Sequence, residues 1–307
     1  MLPVAAATGA LAACGGSSHG TTTTPAQTSA PPATVAAATV AALAVRDAGV
    51  VGKGPLAVHD LSYASGGRRL TAYLVVPPLA GRLPAVIVLH AAQGGRASLL
   101  PWARWLAARG AVALAVDAPE GRIDPSSLGT GMTGLRRQHD LTVQTVADLR
   151  HAVDLLASRP DVDASRIGFI GWSFGARTGA LLAGVEHRVR AYDLISAGAE
   201  PVAAEVAYAP PDVRPEATKL LDAIDPIGGV HRSVPGDVFL QDGAADEVVP
   251  QPALDAVATA LPRGSRVKWY AGGHAPGTGE LRDALDWLSG RLRLATTSRV
   301  AGAAAGP

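Results

Sequence analysis

From Pro55 onward, short apolar runs alternate with segments in which apolar residues recur at helical spacing. Leu56 to Tyr63 and Leu70 to Val76 read as two strands joined by a turn at Ser65-Gly66-Gly67, a hairpin pattern. Pro84 to His90 is a continuous β-branched and apolar run, as expected of a strand buried on both faces. Leu99 to Arg109 fits a helix ended by Gly110, and Ala111 to Val116 is a second buried strand that stops at Asp117. In Asp140 to Ser158, Val143, Val146, Leu149, Val153 and Leu156 fall three and four apart and line one helix face, which Pro160 closes. Arg166 to Ile170, Val189 to Ser196, Val238 to Gln241 and Val267 to Tyr270 read as further strands. Phe174 to Ala183, Pro252 to Leu261 and Glu280 to Leu292 read as the helices between and after them. Strands alternating with helices predict an α/β fold, a mostly parallel twisted sheet of about eight strands with helices on both faces. Sites in such sheets lie beyond the carboxyl ends of the strands.

The ends of the chain read differently. Residues 1–14 begin with a small, apolar stretch, and Leu11-Ala12-Ala13-Cys14 closes it. Residues 15–54 open on a Gly/Ser/Thr/Pro-rich stretch and are expected to form a disordered tether. The folded domain is expected over 55–294, and the Ala/Gly/Thr-rich residues 295–307 as a flexible tail.

Composition narrows the chemistry. Hydrophobic residues make up 48% of the 307, enough for a sizeable core, but aromatics are only 4%, so Ala, Val, Leu and Ile must fill it. The formal net charge is +1, which gives no electrostatic reason to expect nucleic acid or an acidic partner. Cys14 is the single cysteine, so no intrachain disulfide and no cysteine-based metal cluster is possible. No cofactor or metal is called for by any motif.

The candidate chemistry sits where strands end. Gly171-Trp172-Ser173-Phe174-Gly175 is a G-x-S-x-G pentapeptide placed where a strand gives way to a helix. A sharp turn there pushes the serine hydroxyl out of the sheet, and the flanking glycines let the backbone pass close to its neighbours. The N–H of Phe174, at the helix start, can then face a developing oxyanion. A second donor is expected from the loop His90-Ala91-Ala92-Gln93-Gly94-Gly95, with Ala92 the candidate. His90 itself reads as a loop-shaping residue that hydrogen-bonds backbone. Gln93 and Trp172 are candidates to line a substrate pocket.

For a serine on such a turn, the chain order is serine, acid, histidine. Of eight histidines, His187, His231 and His274 follow Ser173, and only His274 also follows the acidic loop Gln241 to Pro250. Asp246 is the favoured acid because it lies in that loop, whereas Asp242 ends the strand; Glu247 is the weaker alternative. Arg136 and Arg137 could meet a carboxylate or stand solvated at a helix start.

Residues Pro55 to Leu292 resemble the α/β-hydrolase fold, and within it the dienelactone hydrolase-like and prolyl oligopeptidase-like esterases. The carrying residues are Pro84 to Gly95, Gly171 to Gly175, Gly243-x-x-Asp246-x-x-Val249-Pro250 and Gly273-His274. Dienelactone hydrolases proper use a cysteine nucleophile, where this chain has Ser173; many relatives read His-Gly after the oxyanion strand, where Ala91 stands here. The resemblance implies a serine hydrolase that cleaves small-molecule or polymer-borne carboxylic esters through an acyl-enzyme. A peptidase using the same residues, or a surface-tethered binding protein in which they no longer work, are the rival expectations. Residues Ala197 to Ala223 are too few for a large lid and are expected to form a small cap or loop. Leu11 to Cys14 resembles the lipobox of bacterial lipoproteins, which implies export and a lipid anchor on Cys14 at the outer face of the cell membrane.

Overall fold

The computed structural model describes residues 40–303 and 306–307. Cys14, and with it the expected signal and most of the tether, lies outside the described residues.

Nine strands form one sheet: β1 (Arg46–Val50), β2 (Ala57–Ser65), β3 (Arg68–Val76), β4 (Leu83–Leu89), β5 (Val112–Val116), β6 (Val162–Trp172), β7 (Val189–Ile195), β8 (Val238–Gly243) and β9 (Arg266–Tyr270). Their order across the sheet is β1-β2-β3-β5-β4-β6-β7-β8-β9. The first three strands pair antiparallel, as does β3 with β5, and everything from β5 to β9 is parallel. The hairpin turn between β2 and β3 has Gly66 and Gly67 at φ 53° and 76°, with Ser65 paired to Arg68. Two consecutive positive φ values define the two-residue turn whose twist matches a right-handed hairpin, and glycine adopts them without strain.

The helices are α1 (Val40–Leu43), α2 (Leu100–Ala108), α3 (Gly131–Ser158), α4 (Phe174–Ala183), α5 (Val202–Glu205), α6 (Arg214–Ala223), α7 (Pro226–His231), α8 (Gln251–Ala260) and α9 (Thr278–Leu292). Two hydrophobic clusters sandwich the sheet. On one face Leu149, Leu156, Ala176, Ala180, Val230 and Val257 bring α3, α4, α7 and α8 against the strands. On the other, Trp102, Leu106, Leu285 and Leu288 bring α2 and α9. Strands β4 and β5 are buried at every position, which is why they read as unbroken apolar runs.

Three segments depart from the sequence-based expectation. Residues 40–54, expected in the tether, contribute α1, whose Leu43 is buried in the core, and the edge strand β1. An edge strand is held by backbone hydrogen bonds on one side, so it needs no apolar alternation, and β1 is largely exposed. Helix α3 starts at Gly131, nine residues before the segment expected to be helical begins at Asp140. Its first turns pack on the 3-10 turn Pro125–Leu128 and on α6, with Arg137 donating to the Leu128 carbonyl and Arg136 paired to Glu216 at 2.7 Å. The expected tail is docked up to Ala303: Ala295 and Arg299 donate backbone N–H groups to the carbonyls of Arg109 and Ala108, and Val300 is buried. Those carbonyls are the orphaned last acceptors of α2, which any chain segment can satisfy. Residues Ala197 to Ala223 contain two short helices, α5 and α6, the second packed on α3.

Candidate active site

Strand β6 and helix α4 meet at Ser173, whose φ of 54° and ψ of −112° make a sharp corner. A Cβ on Gly171 would lie 2.5 Å from the Gly175 carbonyl, and one on Gly175 would lie 2.3 Å from the Leu89 carbonyl. Both positions therefore accept only glycine, and the first turn of α4 sits directly over the end of β4. The Ser173 N–H donates to the Ile195 carbonyl at 2.8 Å, which ties the corner to the end of β7.

The loop expected to supply an oxyanion donor, residues 90–95, lies beside the start of α4, with His90 stacked on Phe174. Gln93, at φ 61°, donates its N–H to Gly121 at 2.7 Å, and Gly94 donates to Ala91 at 3.1 Å. Among the described residues the N–H groups of Ala92 and Phe174 have no acceptor, so both are available to a ligand. The Gln93 side chain is exposed, while its backbone belongs to the loop brace. Asp117, at the end of β5, accepts from Thr71 Oγ at 2.7 Å, Arg122 at 2.6 Å and the Arg96 N–H at 3.2 Å. Burial pushes its carboxyl up, but these three donors together hold it below the ordinary aspartate value. Arg122 also donates to the Gly94 carbonyl. The Asp117–Arg122 brace carries no motif, and the only sequence signal for it is that β5 stops on an aspartate.

His90 is 1% exposed and shapes this loop. Its Nε2 accepts from the Ala118 N–H at 3.1 Å, so the proton must be on Nδ1, which donates to the Ala91 carbonyl at 2.8 Å. Burial pushes its pKa below the usual histidine value. The neutral ring thus stabilises the fold fully above the unfolded value of about 6.5, and this contribution is lost as pH falls through the lower folded value. A His90→Asn variant is expected to be less stable at pH 8 and to lose less stability than the wild type on acidification to pH 5. Denaturant titrations at both pH values test this, and equal losses in the two proteins would refute it.

On the other side of Ser173, His274 sits in the glycine-rich loop between β9 and α9. Its Nε2 lies 2.9 Å from Ser173 Oγ, and its Nδ1 lies 2.9 Å and 3.2 Å from the two oxygens of Asp246. The His274 and Asp246 side chains are 12% and 1% exposed. One oxygen of Asp246 also accepts the N–H groups of Val248 and Val249, at 2.8 and 2.9 Å. Glu247 instead lies against Gly273. Asp242 is buried, and neither of its carboxylate oxygens has a hydrogen-bond partner among the described residues. Burial pushes its carboxyl up to about 7. The geometry thus selects Asp246 among the three acids.

Trp172 is half-buried and stands beside the histidine. Its indole N–H donates to the His274 carbonyl at 2.9 Å, and the two rings lie 6.0 Å apart. Ser196, at φ 59°, donates its hydroxyl to the same carbonyl at 3.0 Å. Nothing in the sequence pattern singles out Ser196. Among the described residues no group of three or more His, Cys, Asp or Glu is arranged to hold a metal ion.

Residues 70–275 match the model of the dienelactone hydrolase family. The chain belongs to that family. A "Probable 2-oxo-3-(5-oxofuran-2-ylidene)propanoate lactonase" of Bradyrhizobium sp is 35% identical over 130 residues, covering 42% of this chain and 51% of that protein. The chain thus spans about half the length of this curated relative. Among solved structures, an acetyl xylan esterase from Paenibacillus sp. R4 superposes with a TM-score of 0.65 at 21% identity, over 81% of this chain and 89% of that one. Acetyl xylan esterase 1 from Thermoanaerobacterium sp. JW/SL YS485 gives 0.62 at 21% identity, over 80% and 86%. At that identity the likeness speaks to the fold, which is the α/β-hydrolase fold.

Proposed function

We propose that this protein is a serine hydrolase that cleaves carboxylic esters through an acyl-enzyme. The observation that carries the reading is the continuous hydrogen-bonded line from Ser173 Oγ through His274 to Asp246, each step 2.9 Å. Ser173 attacks the ester carbonyl as His274 Nε2 takes its proton. Asp246 holds the tautomer with the proton on Nδ1 and stabilises the imidazolium. The N–H groups of Phe174 and Ala92 receive the oxyanion; losing one such donor typically lowers turnover about a hundred- to thousandfold. His274 then protonates the leaving alkoxide, and a water it activates releases the acid. Lactones are internal esters and follow the same steps. The small α5–α6 cap favours modest-sized or polymer-borne esters. Export and a lipid anchor on Cys14 complete the proposal, supported by the Leu11-Ala12-Ala13-Cys14 tetrapeptide and the polar stretch after it.

One experiment on the full chain, expressed in bacteria, tests these readings together. A fluorescent phosphonate probe is applied to the membrane and soluble fractions, and a panel of p-nitrophenyl esters, lactones and p-nitroanilides is assayed. A labelled band in the membrane fraction with ester turnover is expected. Labelling confined to the soluble fraction sinks the anchor, and preference for anilides favours the peptidase. A folded chain that neither labels nor turns over is a binding protein.

A further inference from the structure

We propose that Ser196 and Trp172 act together as a positioning clamp that references the general base to the nucleophile; this rests on reading Ser173, His274 and Asp246 as the hydrolytic triad. The His274 loop needs such a hold. Residues 271–277 contain three glycines, which leave the backbone free to move. The loop is tied to its neighbours on either side of the histidine, where Ala244 and Ala245 donate to the carbonyls of Tyr270 and Gly272 and Leu281 donates to that of Gly277. At His274 the main chain is held through its carbonyl, which receives two side-chain donors, the Trp172 indole N–H from the end of β6 at 2.9 Å and the hydroxyl of Ser196, just past β7, at 3.0 Å.

The identity of those two residues gives the clamp its meaning. Trp172 is covalently joined to Ser173. Ser196 follows Ile195, whose carbonyl accepts the Ser173 N–H at 2.8 Å. Both donors are therefore bonded directly to the groups that fix the nucleophile, so the base cannot drift relative to the serine without breaking one of them. Ser196 also holds φ at 59°, a left-handed conformation uncommon for a residue with a Cβ. That conformation aims its hydroxyl across to the loop. The Ser196 N–H is itself held by the Gln241 carbonyl of β8, at 2.8 Å. The Trp172 ring, tilted 42° to the imidazole, adds a wall against which the histidine side chain rests. Neither residue touches the reacting atoms, so both act through His274.

The test uses Trp172→Phe, which keeps an aromatic ring and deletes the N–H, Ser196→Ala, and the double variant. Turnover and KM on p-nitrophenyl acetate, the rate of phosphonate labelling and the unfolding midpoint are measured for each. A misplacement of ~1 Å can lower a rate by about a hundredfold, whereas a single lost hydrogen bond with its partner retained does less. Each single variant is expected to lose roughly tenfold in kcat with KM little changed. The double variant should lose more than the product of the singles, because only then is the carbonyl released from both donors. Phosphonate labelling should slow in step with kcat. Ser196→Gly separates positioning from folding: it relaxes the positive φ while deleting the hydroxyl, so stability should be kept and kcat still lost. A double variant with near-normal kcat and a lowered unfolding midpoint, or effects on KM alone, would overturn the clamp and leave the hydrolase reading intact. A wild-type chain that neither labels nor turns over would overturn both.

Discussion

Replacing Ser173 by alanine is expected to lower turnover of p-nitrophenyl acetate at least roughly ten-thousandfold while leaving the fold intact. The size follows from what the hydroxyl does. With the oxygen gone no acyl-enzyme can form, and His274 and the N–H groups of Phe174 and Ala92 can only assist direct attack by water. The fold should tolerate the change because the Ser173 side chain caps no helix, and its backbone N–H bond to Ile195 is retained. The φ of 54° is one that alanine must hold as serine does, so no new strain enters. The measurement pairs ester turnover with thermal unfolding and phosphonate labelling. Retained turnover in a folded, unlabelled variant would mean that a different nucleophile does the chemistry.

The reason Ser173, Asp246 and His274 could be picked out of the sequence is physical. Ser173 and Asp246 follow apolar runs that form buried strands, and His274 follows the exposed edge strand β9; a parallel sheet opens its sites at the carboxyl ends of its strands. Helix α4 spans Phe174–Ala183 in the structure, with the same limits that its composition predicts, because the nucleophile corner starts it and Gly184 ends it. The choice between Asp242, Asp246 and Glu247 was less legible. All three lie within six residues, and only the folded structure separates a carboxylate facing His274 from one buried without a partner and one lying on Gly273.

What the sequence hid was held by backbone or by single polar contacts. Strand β1 joins through main-chain bonds at an edge, and the docked segment after Leu294 satisfies carbonyls of α2 and its C-cap, so neither imposes a residue pattern. From its place beside Ser173, Trp172 fits a pocket wall or the core alike, and its N–H bond to the His274 carbonyl spans 102 positions of chain. Ser196 is one serine at the end of a strand. A hydroxyl that donates to a carbonyl 78 residues away leaves no periodicity to detect. The polar line beneath the site, in which Tyr270 donates to Gln241 and Gln241 to the buried Asp193, is equally silent in the sequence. Burial pushes the Asp193 carboxyl up to about 8, so at neutral pH it is mainly the neutral acid and is buried without a full charge.

Asp246→Asn is expected to lower kcat on the order of ten-thousandfold with the fold unchanged, through the tautomer of His274 rather than through loss of contact. One carboxylate oxygen accepts the N–H groups of Val248 and Val249, at 2.8 and 2.9 Å. An asparagine must keep its carbonyl oxygen on those two donors, because turning the amide over would set N–H against N–H. Its NH2 group then faces Nδ1 of His274, where the second carboxylate oxygen now stands at 2.9 Å. A donor at that place requires an unprotonated Nδ1, so the ring proton moves to Nε2 and points at Ser173 Oγ. The histidine then offers the serine a donor where catalysis needs an acceptor, and it lacks the buried negative charge that would stabilise the imidazolium. Asp246→Ala removes the acceptor for the two backbone N–H groups as well, so it should lose stability in addition to turnover, whereas the asparagine variant should lose turnover alone. Unfolding midpoints and kcat for the two variants, with the imidazole protons followed by NMR, test this. An asparagine variant that keeps the proton on Nδ1, or one within about tenfold of wild-type kcat, would show that Asp246 does not set the tautomer.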